Sequence, residues 1–161
     1  MKSVKLTWVA LAVLLVPALL TACDSADLGT PEGAAEAFFD AYENEDEDAA
    51  KEALCERHHE ELVMPDDLEG VLSDLDEVEF DFDLQFHESD EDIENGKLVE
   101  AYGRVRLRFV NDDRDVEFKQ HSRDDAPLFV VTVVEDGDDW QVCDVGAASG
   151  SVLFPPGNLE D

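Results

Sequence analysis

Two neighbouring segments of this chain alternate apolar and polar residues over ten positions or more, and this pattern constrains the fold more than any other feature. A period of two places every apolar side chain on the same face of a β-strand. The segments are 78–87 (VEFDFDLQFH) and 99–109 (VEAYGRVRLRF). Each is therefore predicted to be a strand with one face in a core and the other in solvent.

The polar faces of these two strands carry opposite charges, because the first is acidic and the second holds three arginines. Antiparallel pairing with both apolar sets on one face allows a register that places Asp83 opposite Arg104, Asp81 opposite Arg106 and Glu79 opposite Arg108. A shift of two residues either way keeps two or three such pairs. Since each exposed pair contributes only about 0.2 to 1 kcal/mol, the charges support the pairing and leave its register open.

Further strands are predicted towards the C-terminus. A short one lies around 116–120, and the continuous apolar run 128–134 is typical of a central strand covered on both faces. Asp136-Gly137 is a hairpin signal before a strand at 140–143. Residues 152–154, before two prolines, are predicted to add a last edge segment.

Helical signals precede all of these strands. Thr30-Pro31-Glu32 combines an N-cap, a proline at the first helical position and an acid near the positive helix end, which predicts a helix over 31–43. A second helix is expected from Ala49 to Leu54, fading near His59, and a helical turn around 68–72. Because no helix separates the strands, the predicted fold class is α+β, with two or three N-terminal helices packed on a curved, mainly antiparallel sheet of about five strands.

The N-terminus has the organisation of a secretory signal. Two lysines within residues 1–5 precede an uncharged run, 6–20, that is short for a membrane-spanning helix. The sequence Leu20-Thr21-Ala22-Cys23 resembles the bacterial lipobox, which implies cleavage between Ala22 and Cys23 and a diacylglycerol on Cys23. The chain is then a lipoprotein on the extracytoplasmic face of the cell membrane. An uncleaved anchor and a secretory signal without lipid are the alternatives.

These signals divide the chain into four parts. Residues 1–22 form the lipoprotein signal peptide, and 23–29 hold the lipidated cysteine and a polar tether. Residues 30–154 form one domain, and 155–161 form a C-terminal tail.

The charge of the chain limits its partners. It has 42 Asp and Glu against 11 Lys and Arg, a formal charge of −31, and loss of residues 1–22 with their two lysines makes this −33. Binding to nucleic acid or to an anionic lipid surface through charge is thereby excluded. A small ligand is expected to be neutral or cationic, unless binding occurs in high salt. The composition resembles that of proteins from salt-adapted organisms, with ordinary surface acidity as the alternative.

The first helix, the Ala-rich second helix ending in Leu54-Cys55, and the closing Asp139-Trp140-Gln141-Val142-Cys143-Asp144 together resemble small bacterial lipoproteins of the nuclear-transport-factor-2-like superfamily. The resemblance covers residues 30–146. It implies a cone of helices against a bent sheet, enclosing a cavity that some members use for catalysis and many for binding or dimer contacts.

Two cysteines remain once Cys23 is assigned to lipid. Cys55 and Cys143 belong to an exported domain, where such a pair usually forms a disulfide. On an ideal helix, however, Cys55 points about 170° away from the apolar stripe of the second helix. Two free buried thiols are the alternative.

No cluster in the sequence predicts a metal site or a cofactor. His58 and His59, beside Cys55, Glu60 and Glu61, point in different directions on a helix and cannot easily share one ion. The acidic groups Glu91-Asp92-Glu94 and Asp112-Asp113-Asp115 lack the spacing of a calcium loop.

Four residues are the scarce candidates for acid–base chemistry: Tyr42, Tyr102, His87 and His121. Strand parity places Tyr102 and His87 on the polar face, with no acid predicted beside either, so no catalytic residue is assigned. The predicted function is a lipid-anchored extracytoplasmic binding or interaction domain for a small molecule or an envelope protein, with a homodimer left open. The alternative that the resemblance implies is an isomerase- or dehydratase-type enzyme using the cone cavity.

Overall fold

The computed structural model describes residues 27–71, 76–111, 114–123 and 126–148. The predicted signal peptide 1–22, the lipidation site Cys23, the edge segment 152–154 and the tail 155–161 lie outside these residues. The elements, in chain order, are α1 (Pro31–Glu43), α2 (Glu47–Ala53), a 3-10 turn (Glu56–His58), α3 (Pro65–Val71), β1 (Glu77–Ile93), β2 (Gly96–Asn111), β3 (Arg114–His121), β4 (Phe129–Asp136) and β5 (Asp139–Ala147).

Helix α1 begins as the sequence predicts. The Thr30 side chain accepts a hydrogen bond from the Gly33 amide at 3.1 Å, and Pro31 occupies the first turn. Helix α2, by contrast, ends at Ala53 and does not continue towards His59. Its end is set by Leu54, which turns to an extended conformation and forms a parallel bridge with Val142 of β5.

The sheet is antiparallel, with the order β1-β2-β4-β5, and β3 also pairs with β2. One edge of β2 pairs with β1. Its other edge is shared, because residues 96–101 pair with β4 and residues 104–111 pair with β3. Gly103, with a φ of +136°, lies at the point where β2 changes partner.

The core lies between α1 and the sheet. The Phe39 ring centroid is 5.1 Å from that of Phe82, 5.5 Å from that of Phe86 and 5.4 Å from that of Phe129. The tyrosine ring of the next helical turn, Tyr42, lies 5.3 Å from the Phe80 ring. Aromatic rings of the helix and the sheet are therefore in direct contact.

The predicted α+β class is wrong, because the chain folds mostly as a five-stranded antiparallel sheet. Among the described residues strands predominate over helices, and the three helices found there are short and lie N-terminal to the sheet. Strands β1 and β2 reach 17 and 16 residues, well beyond their alternating segments, whereas α2 and α3 have seven each. Cross-strand pairing of β1 with β2 continues to Ile93 and Gly96, and the polar residues before Ile93 therefore belong to β1.

Strand β4 also differs from its prediction. Its apolar run, 128–134, suggested burial on both faces, but within β4 only Phe129, Val131 and Val133 are buried, and the residues between them are partly exposed. The helices cover one face of this strand and leave the other partly open to solvent.

Candidate functional site

Strand β3 is the most exposed strand among the described residues. All eight of its residues are exposed, and the exposed fraction is 59% for Phe118 and 39% for Val116. The β2–β3 register places Phe118 opposite Leu107 and Val116 opposite Phe109. These two side chains therefore continue the apolar face of the sheet to its margin, where solvent reaches them. Exposed apolar groups in a cluster are typical of an interaction surface.

The other two margins of the sheet are covered. On β1, the Phe82 amide donates to a Glu43 carboxylate oxygen at 2.8 Å, and the Glu88 amide donates to Glu32 at 3.3 Å. Helix α1 thus satisfies outward backbone groups of β1 that would otherwise remain unpaired.

Residues before and after α2 protect the margin at β5. The Trp140 amide donates to the Leu28 carbonyl at 2.7 Å, and the Cys55 amide donates to the Val142 carbonyl at 2.8 Å. Within the described part of the chain, β3 has no strand, helix or carboxylate paired to its outer backbone edge. An uncovered edge strand is a template for pairing with another chain.

A pocket of about 600 Å³ adjoins the C-terminal end of β3. It is lined by residues 119–123, by 126–128 and by Ala148. Its lining includes the cations Lys119 and Arg123 and the imidazole of His121, and among the described residues no acid lines it. The chain as a whole is acidic, but two of its few cations line this one pocket. The Lys119 ammonium also pairs with Glu117 of the same strand, at 2.8 Å between nitrogen and oxygen.

The wall of this pocket is fixed to the sheet through Ser122. Its amide donates to the Gly103 carbonyl at 2.9 Å, and the Gly103 amide donates to the Ser122 hydroxyl at 3.0 Å. Leu128, in the segment that connects β3 to β4, is buried, and its amide donates to the Ala101 carbonyl. The pocket and the margin of β3 therefore form one continuous surface.

The polar face of the sheet carries the charge ladder that the sequence suggested. Among the registers left open, the structure has the one pairing Asp83 with Arg104, Asp81 with Arg106 and Glu79 with Arg108. The corresponding ion pairs measure 3.0, 2.5 and 3.0 Å between nitrogen and oxygen.

Strand β3 extends this ladder. Asp115 accepts two hydrogen bonds from Arg108 at 3.0 Å, and Glu117 lies 3.8 Å from Arg106. The hydrogen bonds from Arg108 lower the pKa of the Asp115 carboxyl. In turn, the hydrogen bonds that Arg108 donates to Asp115 and Glu79 raise the pKa of the Arg108 guanidinium. Because these groups are exposed, solvent screens the pairs, and they align β3 more than they stabilise it.

The predicted disulfide between Cys55 and Cys143 is present. It joins the segment after α2 to β5, with the two Cα atoms 5.1 Å apart. The unfavourable direction of Cys55 on an ideal helix does not apply, because the helix ends two residues earlier and Cys55 lies in extended backbone.

Of the four candidates for acid–base chemistry, the structure brings His87 and Tyr102 together and places Tyr42 and His121 elsewhere. Tyr42 is buried in the core, its hydroxyl donates to the Val63 carbonyl at 3.1 Å, and burial raises its pKa to about 12. His121 lines the pocket, and the His87 ring lies 5.9 Å from that of Tyr102 on the polar face. The expectation that no acid lies beside Tyr102 or His87 is wrong, because the Tyr102 hydroxyl donates to Glu100 at 2.6 Å and the register places Glu100 opposite His87.

The two histidines after α2 have separate partners. The His58 ring lies 3.3 Å from a Glu61 carboxylate oxygen, and the His59 ring lies 2.8 Å from the Leu54 carbonyl. Across the described ranges, no group of three His, Cys, Asp or Glu side chains is arranged to hold a metal ion.

Sequence reasoning did not single out Phe118, Lys119, Ser122 and Arg123 as surface or pocket residues. The available signal was the order of charges along β3, where, after Arg114, the acids Asp115 and Glu117 precede Lys119. The prediction of a strand at 116–120 did not use that order.

Comparison with known proteins gives no match to a family model, to a curated protein or to a solved structure. In the part of the chain that the structure describes, no helix is long and apolar enough to cross a membrane.

Proposed function

We propose that this chain is a lipid-anchored extracytoplasmic interaction domain. The Cys55–Cys143 disulfide supports an oxidising compartment, since such bonds persist outside the cytoplasm. The lipobox-like Leu20-Thr21-Ala22-Cys23 supports export with a lipid on Cys23.

The observation that carries the interaction function is the uncovered margin of β3. A strand with an open backbone edge and exposed apolar side chains binds an extended polypeptide as an additional strand. Backbone hydrogen bonds supply affinity in this mode, and side chains such as Phe118 select the partner.

Intact-mass spectrometry of the membrane-extracted protein tests the anchor. The expected mass is that of a chain beginning at Cys23 with a diacylglycerol attached. Cys23→Ser should lose the lipid mass and retain residues 1–22, whereas Ser25→Ala, a matched control beside the cleavage site, should be processed normally. A wild-type chain without lipid would overturn the anchoring proposal.

The cationic pocket favours a second candidate function, the binding of a small molecule with a carboxylate or similar anionic head. Lys119, His121 and Arg123 would pair with the head, and Leu128 would contact an apolar body. Native mass spectrometry of protein extracted gently from its own membrane separates the two candidates. A bound polypeptide supports the interaction domain, a retained small molecule supports the second candidate, and an empty monomer contradicts both.

A further inference from the structure

We infer that β3 binds β3 of a second copy of this chain, antiparallel about a twofold axis at Phe118. The inference rests on the interaction function proposed above and names its partner. Three independent features of β3 point to a second copy: the order of its charges, the direction of its free backbone groups and the position of its exposed apolar residues.

The charges of β3 are complementary to themselves in reverse order. On its polar face, Asp115 and Glu117 come first and Lys119 and His121 follow. A second copy running antiparallel, with Phe118 opposite Phe118, places Glu117 opposite Lys119 and Asp115 opposite His121. Each contact occurs twice because of the twofold symmetry. Opposite charges directly across two strands are favourable, and like charges are not.

Backbone geometry agrees with this register. The Ser122 amide donates to Gly103 of β2, so the backbone groups of even-numbered residues point to β2 and those of odd-numbered residues point outward. In the proposed pairing, the odd-numbered residues 115, 117, 119 and 121 face one another as hydrogen-bonded pairs. No backbone group of β3 has to leave β2 for the second copy to bind.

The apolar face also fits a second copy. Phe118 and Val116 lie on the same side as Leu107 and Phe109. The twofold axis brings the two Phe118 rings together, in the closer, non-hydrogen-bonded type of pair. The exposed apolar margin of one sheet thus continues into that of the other.

Charge explains why two such acidic chains meet at β3. The formal charge of the chain is −31, so two copies repel each other over most of their surfaces. Within β3, Arg114 and Lys119 balance Asp115 and Glu117. A pair of eight-residue strands is a small interface, so a weak dimer is expected, strengthened where lipid anchors confine both copies to one membrane.

Disulfide trapping tests the register on the full chain in detergent, in about 1 M sodium chloride to screen repulsion. Phe118→Cys should form a covalent dimer with mild oxidant, because Cα atoms of a non-hydrogen-bonded pair lie about 4.5 Å apart, within disulfide range. Val116→Cys is the matched control, since its two copies would be about 13 Å apart along the strands. The native cysteines are the same in both variants, so the wild-type chain gives the background.

Sedimentation equilibrium tests the charges. Lys119→Glu places a carboxylate opposite Glu117 of the second copy and should raise the dimer Kd about tenfold. Combining it with Glu117→Lys should restore the dimer. Lys51→Glu changes the net charge equally, away from β3, and should leave Kd within about twofold of the wild-type value.

Four results would overturn the inference. These are a monomeric wild-type chain, equal trapping from Val116→Cys and Phe118→Cys, equal effects of Lys119→Glu and Lys51→Glu, and a complex in which another protein covers β3. The last result would leave the proposed interaction function standing, whereas a chain that binds no polypeptide at all would remove both.

Discussion

At the scale of single residues, Gly103 decides how the sheet is assembled. Its φ of +136° is a conformation that side-chain-bearing residues rarely adopt, and it lies where β2 passes from β4 to β3. A Cβ there would collide with the Asp83 carbonyl oxygen and come within 3.1 Å of the Leu84 Cα. Glycine within a strand commonly marks such a bend or close approach.

Gly103→Ala should therefore lower the free energy of unfolding by about 1 to 3 kcal/mol. Gly146→Ala is the matched control, because a Cβ at Gly146 meets its nearest atom, the Val130 carbonyl oxygen, at 3.6 Å, an ordinary contact. Urea denaturation of both variants measures the difference. Equal stability of the two variants would show that a Cβ at position 103 causes no strain.

The role of Gly103 was not predictable from the sequence. In the alternating segment 99–109 the glycine occupies one of the apolar positions and fits the pattern like any small residue. Its function depends on which strand lies beside each half of β2. The period of a pattern assigns a face to a residue and does not identify its neighbouring strands.

At the scale of elements, the segment after α2 works as a cover for β5. Leu54 bridges Val142, the Cys55 amide bonds the same residue, and the disulfide to Cys143 makes this contact covalent. The cysteine pair was predictable from its number and its exported context, but its geometry was not. That geometry depends on where α2 ends, and the alanines of α2 contain no stop signal.

Replacing both cysteines, Cys55→Ala with Cys143→Ala, should reduce the free energy of unfolding by about 4 to 5 kcal/mol in the chain-entropy model. The bond closes a loop between positions 88 residues apart, and opening it frees the unfolded chain. Denaturation of the reduced wild-type protein is the control and should show a similar loss. A loss below about 1 kcal/mol would mean that the cover on β5 is held by its other contacts.

The strands show the same limit of sequence reasoning. Charges restricted the β1–β2 pairing to a few registers, and the observed one is among them. The last six residues of β1 were not predicted because Glu88–Ile93 has no alternation, and they belong to the strand through its pairing with the start of β2. The exposure of β3 was also missed, since an edge strand is recognised only once its neighbours are known.

At the scale of the whole molecule, carboxylates dominate the surface. The chain has 42 acids, and among the described residues none of the charged side chains is buried. The order of helices followed by strands was predictable from the change of period along the sequence. The relative amounts of helix and strand were not predictable, because the length of a strand depends on its pairing with neighbouring strands.

Raising sodium chloride well beyond about 0.15 M should increase the melting temperature, since salt screens repulsion among the carboxylates. The arginine ladder on β2 loses some attraction in salt, but it involves few of the acids. Sucrose at equal osmolality separates general exclusion effects from screening. A melting temperature that does not change with salt would contradict a role for this repulsion and the salt-adapted interpretation of the composition.

The hydrogen bond between the Leu28 carbonyl and the Trp140 amide joins residue 28 to β5. It therefore limits the distance between the domain and a membrane that the proposed lipid anchor would allow. If Cys23 carries the proposed lipid, the distance from Cys23 to Leu28 is at most about 17 Å, the length of a fully extended chain of this size. The proposed anchor would therefore hold the margin formed by β5 close to the headgroups. Anchored copies would share one height above the membrane, so their β3 strands search for each other in two dimensions.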